Sequence, residues 1–220
     1  MIDTVIFDLD GTLLNTLDDL TDSVNYALEK LGKPLHTSEE VRMMVGNSVN
    51  YLIKKAMPEG SSEEELKQCL EIYEKHYHSN MQNKTAPYEG IREMLATVKE
   101  QGYKTAVVSN KSDGFTKSLV ADFFGEFITL AQGRSELFPR KPAPDSVWHV
   151  MNLLGSTKET TAYVGDSEVD VITARNAGIP CFGCLWGFRD RETLEAEGAA
   201  AIISHPSELV EKLNSLRELN

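Results

Sequence analysis

Two aspartates, Asp8 and Asp10, directly follow the apolar run Val5, Ile6, Phe7 and are followed in turn by Gly11 and Thr12. Other β-rich runs also end in polar groups. "KTAVVSN" ends in Ser109 and Asn110 and leads into Lys111, while "TAYVGDS" ends in Gly165, Asp166 and Ser167, with Asp170 three residues on. Lys141 stands in "FPRKPAPDS", a proline-pinned loop after the run "EFITLAQ". Gathered at one edge, these residues place two or three carboxylates, a hydroxyl and one or two ammonium groups in one cleft. Crowded carboxylates repel one another unless a proton or a cation holds them. A hard divalent ion with oxygen ligands, most simply Mg²⁺, suits that set. The hydroxyl and the lysine suit a phosphoryl group, which the metal would bridge to the acids.

Such a gathering needs a scaffold, and the spacing of the apolar runs supplies one. The runs at residues 4, 104, 126, 161, 179 and 199 are nearly continuous, the pattern of strands buried on both faces. Helical patterns lie between them. Ile91, Met94, Leu95 and Val98 keep a 3, 4, 7 spacing that stops at Gly102, and Leu209, Val210, Leu213 and Leu216 give the last helix an apolar face. Strand and helix alternate, so the expected class is α/β, a Rossmann-like parallel sheet with helices on both sides. In such sheets ligands bind outside the carboxyl ends of the strands, where the polar groups above fall.

One interval breaks the alternation. Residues 16–85 read as helices alone, with one stripe in Leu20, Val24, Ala27, Leu28 and Leu31 and another in Leu66, Cys69, Leu70, Tyr73 and Tyr77. A single crossover helix is much shorter. The expected organisation is a core of residues 1–15 and 86–220 with a helical subdomain, residues 16–85, inserted after the first strand.

Composition narrows the partners. At 220 residues, 41% hydrophobic and 25% charged, the chain has the make-up of a folded globular protein. A formal net charge of −12 without a dense basic cluster argues against nucleic acid and acidic membrane surfaces. No apolar stretch reaches the roughly 20 residues of a membrane span. Three cysteines read as reduced thiols, and the expected location is the cytoplasm.

"DLDGT" at 8–12, Ser109 after a strand, Lys141 in "RKPAP" and "GDSEVD" at 165–170 resemble, in order and spacing, the four motifs of the haloacid dehalogenase (HAD) superfamily. The helical insertion resembles that superfamily's first type of cap, and "TARNAG", "WG" and "AAAIISHPSEL" are similar to its phosphoglycolate-phosphatase-like members. The resemblance implies an enzyme, a phosphatase acting on a small phosphorylated metabolite, as monomer or homodimer, with 2-phosphoglycolate as the representative substrate. Alternatives of the same fold are an inorganic pyrophosphatase and a phosphosugar mutase, and outside the enzymes a phosphate-binding regulatory module. By resemblance Asp8 is the nucleophile and Asp10 the general acid and then base. Ser109 and Lys141 hold the transferring oxygens. Asp8, the Asp10 main-chain carbonyl and Asp166 hold Mg²⁺, and Asp170 acts through water or by orienting its neighbours. Gly11 makes the turn, Thr12 fixes Asp8 and Asp10, and Asn110, Gly165 and Ser167 support the set. In the cap, "MVGNSVNYL" makes Gly46, Asn47 and Ser48 candidate substrate contacts.

Other features read as structural. Ser167 and Asp170 fit a capping box as well as a site. Lys111 reads as a solvated lysine, "CFGC" at 181–184 as strand packing, and His76 and His78 as surface residues of a cap helix. "SSEEE" reads as the acidic start of a helix.

Overall fold

Apolar runs that are covered on both faces form the centre of the molecule, and the computed structural model describes them within residues 2–218, with side chains through residue 215. The chain begins with β1 (Thr4–Phe7) and β2 (Leu14–Asn15), then α1 (Leu17–Lys30), α2 (Ser38–Met44), α3 (Val49–Ala56) and α4 (Glu63–Asn80). It continues through β3 (Ala86–Pro87), α5 (Ile91–Glu100), β4 (Lys104–Ser112), α6 (Asp113–Phe124), β5 (Leu130–Arg134) and α7 (Asp145–Leu154). After a 3₁₀ turn follow β6 (Thr161–Gly165), α8 (Glu168–Ala177), β7 (Cys181–Cys184), α9 (Arg191–Ala196), β8 (Ala201–Ile203) and α10 (Glu208–Glu218).

All six expected strands are present, in one parallel sheet of order β5-β4-β1-β6-β7-β8. β1 is central, with Phe7 level with Val107 on one side and Val164 on the other. The crossovers leave β1 in opposite directions, so this is the point where a crevice opens at the carboxyl ends. Below the site the strands are anchored by burial. Ile6, Val108 and Tyr163 pack with Val147 and Val150 of α7 and Val171 and Ala174 of α8. Val5 and Phe7 alternate to the opposite face and are equally buried. Each buried aliphatic or aromatic side chain contributes about 1.5–3 kcal/mol, and several such contacts hold the strand ends against the repulsion of the acids that follow.

Helix ends follow the expected chemistry. Gly102, at φ 78°, closes α5 with its N–H to Lys99 O and that of Tyr103 to Val98 O, and β4 starts two residues later. Ser62 and Glu65 form a capping box at α4, with the acids Glu63–Glu65 in its first turn. Leu209 and Leu213 of α10 are buried, whereas the side chain of Leu216 lies outside the described residues.

The chain divides into two compact units, residues 1–14 with 87–220, and Asn15–Ala86. It passes between them at β2 and β3, which pair with each other. Within the Asn15–Ala86 unit, α1 packs on α4 through Leu20, Val24, Ala27 and Leu28 and through Cys69, Tyr73 and Tyr77. His76 is not a surface residue as its spacing suggested. It is half-buried, 3.0 Å from Ser23 Oγ and stacked on Tyr26, because that stretch of α4 lies against α1; His78 is exposed. No helix of the described residues is long and apolar enough to cross a membrane. The three cysteines are free, and Cys181 and Cys184 are buried in β7, as packing residues should be.

Candidate active site

Asp8 follows β1 and extends its ladder, donating its N–H to Val164 O at 2.9 Å. The turn after it is tight. Gly11 has φ 84°, and a Cβ there would lie 2.2 Å from Asp166 Oδ2, so both the conformation and the space require glycine. Asp166, directly after β6, is held by Thr12 Oγ1 at 2.9 Å and by the N–H of Phe188 at 2.8 Å. Thr12 was expected to fix Asp8 and Asp10. Its hydroxyl instead reaches across to Asp166, because the Gly11 turn packs against that acid.

Asp170 uses both carboxylate oxygens. Oδ2 accepts from the N–H and hydroxyl of Ser167, completing the capping box of α8, and Oδ1 accepts from Lys141 Nζ at 2.7 Å. Lys141 itself is 2% exposed and also donates to the Tyr163 hydroxyl at 3.0 Å, which in turn donates a hydrogen bond to Val108 O at 2.8 Å. The ammonium lies 3.0 Å from Asp8 Oδ1 as an ion pair. Its hydrogen bonds are directed elsewhere, however, and Asp8 Oδ1 is buried without a hydrogen-bond donor. Asn110 fixes the Lys141 backbone from both sides, accepting its N–H at 2.9 Å and donating to its carbonyl at 3.1 Å. Ser109, buried within β4 just after Val108, accepts the N–H of Lys111.

Asp8, Asp166 and Asp170 offer oxygens within 4.8 Å of one another, a group that could hold a metal ion. The Asp10 carboxylate stands outside it. Both of its oxygens accept from Lys111 Nζ at 2.9 Å, and the Lys111 side chain is only 6% exposed. Lys111 is therefore not the solvated lysine its sequence context suggested. The pairing of β4 with β5 slips between Val108 and Ser112, and this irregularity releases residues 109–111 from the ladder at the point where Lys111 turns to Asp10.

Four carboxylates, Asp8, Asp10, Asp166 and Asp170, thus face two ammonium groups, an excess of two negative charges. Burial, then Asp170 and Asp10, push the Asp8 carboxyl up to about 7 against the pull of Lys141. Burial and the charges of Asp170 and Asp8 push Asp166 well above the usual carboxylate range despite its two donors. Burial alone would discharge Lys141, but Asp170 and Asp8 outweigh it and keep the ammonium protonated. A divalent cation matches both the oxygen donors and the missing charge.

Gly187 and Tyr163 carried no site assignment from sequence, and Lys111 entered only as a possible second ammonium of the cleft. A Cβ on Gly187 would lie 2.3 Å from Asp166 Cβ and 2.4 Å from Gly11 O, so this glycine lets two loops close around the acid. Gly165 makes the same allowance for Asp170. Tyr163 carries a hydroxyl at the middle of β6, where only the first residue, Thr161, is otherwise polar, and that is the signal that could have found it. Arg189, next to this loop, is engaged by Glu168 through Nε at 2.9 Å. Gly46, Asn47 and Ser48 lie between α2 and α3 in the Asn15–Ala86 unit, where Ser48 caps α3 by accepting the N–H of Tyr51.

The sequence profile of the haloacid dehalogenase-like hydrolases matches residues 5–184, which include every acid and lysine of the cluster. The chain belongs to this family. As a haloacid dehalogenase-like hydrolase it is 32% identical to a phosphoglycolate phosphatase of Pseudomonas putida, over 90% of this chain and 75% of that one. A phosphoglycolate phosphatase of Aquifex aeolicus is 30% identical over 96% of both chains. Among solved structures, a candidate phosphoglycolate phosphatase from Lactobacillus delbrueckii subsp. bulgaricus superimposes with a TM-score of 0.91 at 32% identity, over 96% of this hydrolase and 98% of that chain.

Proposed function

We propose that the protein is a Mg²⁺-dependent phosphatase that hydrolyses a small phosphomonoester, with 2-phosphoglycolate as the representative substrate, through an aspartyl-phosphate on Asp8. The observation that carries this reading is the convergence of the Asp8, Asp166 and Asp170 carboxylates within 4.8 Å of one another, with the Lys141 ammonium 3.0 Å from Asp8. Asp8 attacks phosphorus, and the ester oxygen leaves with a proton from Asp10. Asp10 then takes a proton from water, which attacks the aspartyl-phosphate, releases inorganic phosphate and restores Asp8. Lys111, bonded to both oxygens of Asp10, keeps that carboxylate in position. Ser109 and Lys141 hold the transferring oxygens, and Tyr163 and Asn110 position Lys141. Asp8, the Asp10 carbonyl and Asp166 would hold Mg²⁺, with Asp170 behind them, and the ion supplies positive charge to the acids and the phosphoryl oxygens.

Magnitude favours a team of residues. Hydrolysis of phosphate monoesters calls for accelerations up to ~10²¹, whereas one general acid is worth about 10²–10⁴. Phosphate release measured over 2-phosphoglycolate, sugar phosphates, nucleotides and pyrophosphate, with and without Mg²⁺, tests the assignment. Release from 2-phosphoglycolate that needs the metal is expected. Transfer between isomeric sugar phosphates without release would make the protein a mutase, and a preference for pyrophosphate would make it a pyrophosphatase.

The raised pKa of Asp8 makes a separate forecast about metal and pH. An acid whose carboxyl titrates near 7 in the folded state and 3.8 unfolded retains its proton only when folded, so stability contributed below this window is lost as pH rises through it. A cation that replaces the proton restores it. The rise in thermal midpoint on adding Mg²⁺ to chelator-treated protein is therefore expected to be larger at pH 8 than at pH 5. An equal rise at both values contradicts the assignment of the ion to these acids.

A further inference from the structure

Arg42, Arg92, Arg175, Arg189 and Arg191 each face a glutamate. Arg134, half-buried at the end of β5, differs: among the described residues no ion pair or side-chain hydrogen bond engages its guanidinium. A partly desolvated cation without a counter-charge is costly unless an anion comes to it.

Arg134 lines an open depression whose walls also include Ser109, Asn110, Arg140, Lys141 and Ser146. Among the described residues no acid lines it, although the chain carries a formal net charge of −12. The acid beside it in the fold, Asp113, is already occupied by the Gly133 N–H at 3.0 Å and by Lys117. The walls are fixed in place. A Cβ on Gly133 would lie 2.5 Å from Asp113 Cα, so β5 ends hard against the start of α6, and Asn110 ties the opposite wall to Lys141.

We propose that the depression is a second anion subsite, in which Arg134 binds a carboxylate or a second phosphate of the substrate while Ser109 and Lys141 hold the transferring phosphoryl group. This rests on the phosphatase reading and narrows the substrates to phosphomonoesters that carry a further acidic group. Arginine suits that task because its planar fork pairs with carboxylate or phosphate through two parallel hydrogen bonds.

The test is a ratio of kcat/KM values. 2-Phosphoglycolate is compared with ethylene glycol monophosphate, which has a hydroxymethyl in place of the carboxylate, and a sugar bisphosphate with the matching monophosphate. Arg134→Gln is expected to lower at least one of these ratios about ten-fold or more, mainly through KM of the doubly acidic member. The pair affected tells carboxylate from phosphate. Arg134→Lys keeps the charge without the fork and lowers the same ratio less; it also carries the test if the glutamine variant proves unstable. Arg175→Gln, remote on α8 and paired to Glu197, leaves the ratios unchanged. Ratios unaltered by both Arg134 variants, or both members of each pair falling together, overturn the subsite while leaving the phosphatase reading in place. A wild-type protein that releases phosphate from none of these esters overturns both.

Discussion

Asp8→Asn is expected to abolish phosphate release, by at least about 10⁴-fold in kcat, and to leave a folded protein. The amide matches the carboxylate in size and cannot attack phosphorus, so the loss isolates nucleophilicity from packing. The substitution also removes one negative charge from a set of four acids and two lysines. Because burial and Asp170 already push the Asp8 carboxyl up to about 7, the neutral amide relieves repulsion, and the metal-free variant should melt no lower than the parent at pH 8. Phosphate release and thermal midpoint, measured side by side, check both halves. A variant with near-normal turnover ends the covalent mechanism, and one that turns nothing over but is also unfolded says nothing for it.

Lys141→Ala is expected to act in two ways. Loss of the ammonium from the transferring oxygens should cost on the order of 10² or more in kcat, as removal of an oxyanion donor does. It also leaves Asp8 and Asp170 buried beside each other without their cation, and breaking a buried pair in this way costs about 3–5 kcal/mol. Lys141→Met separates the charge from the cavity, since it refills most of the volume. Its destabilisation, read by denaturant unfolding of the chelator-treated protein, should be greater at pH 8 than at pH 5, where Asp8 is protonated and needs no partner. A few-fold change in kcat together with unchanged stability would return Lys141 to the role of an ordinary loop lysine.

These two variants differ in how visible their residues were beforehand. Asp8 ends an apolar strand, and an acid in that position already calls for an explanation. Lys141 lies among prolines and next to Arg140, a context typical of solvated loops, and its four-motif setting rather than its neighbours marks it out. Its burial is a consequence of the loop folding back over β4, where Asn110 captures its backbone. The reading of Lys111 as solvated failed for a related reason. Strand alternation says which side of the sheet a residue faces, but not that an irregularity in the β4–β5 pairing turns its ammonium onto Asp10. His76 failed because two histidines two apart on a helix point differently, and spacing alone does not tell which of them meets α1.

The sequence by itself determined the strands, the helices that separate them and the identity of the acids, because burial on both faces leaves continuous apolar runs and because carboxylates at their ends have few structural uses. Tertiary structure alone decided the pairings: Thr12 with Asp166 rather than with its chain neighbours, Lys111 with Asp10, Tyr163 with Lys141, and Gly187 against Gly11. Each joins residues far apart along the chain, at distances set by how β1, β4, β6 and β7 lie side by side. Local propensity has no term for such distances, and they come into being only when the sheet forms.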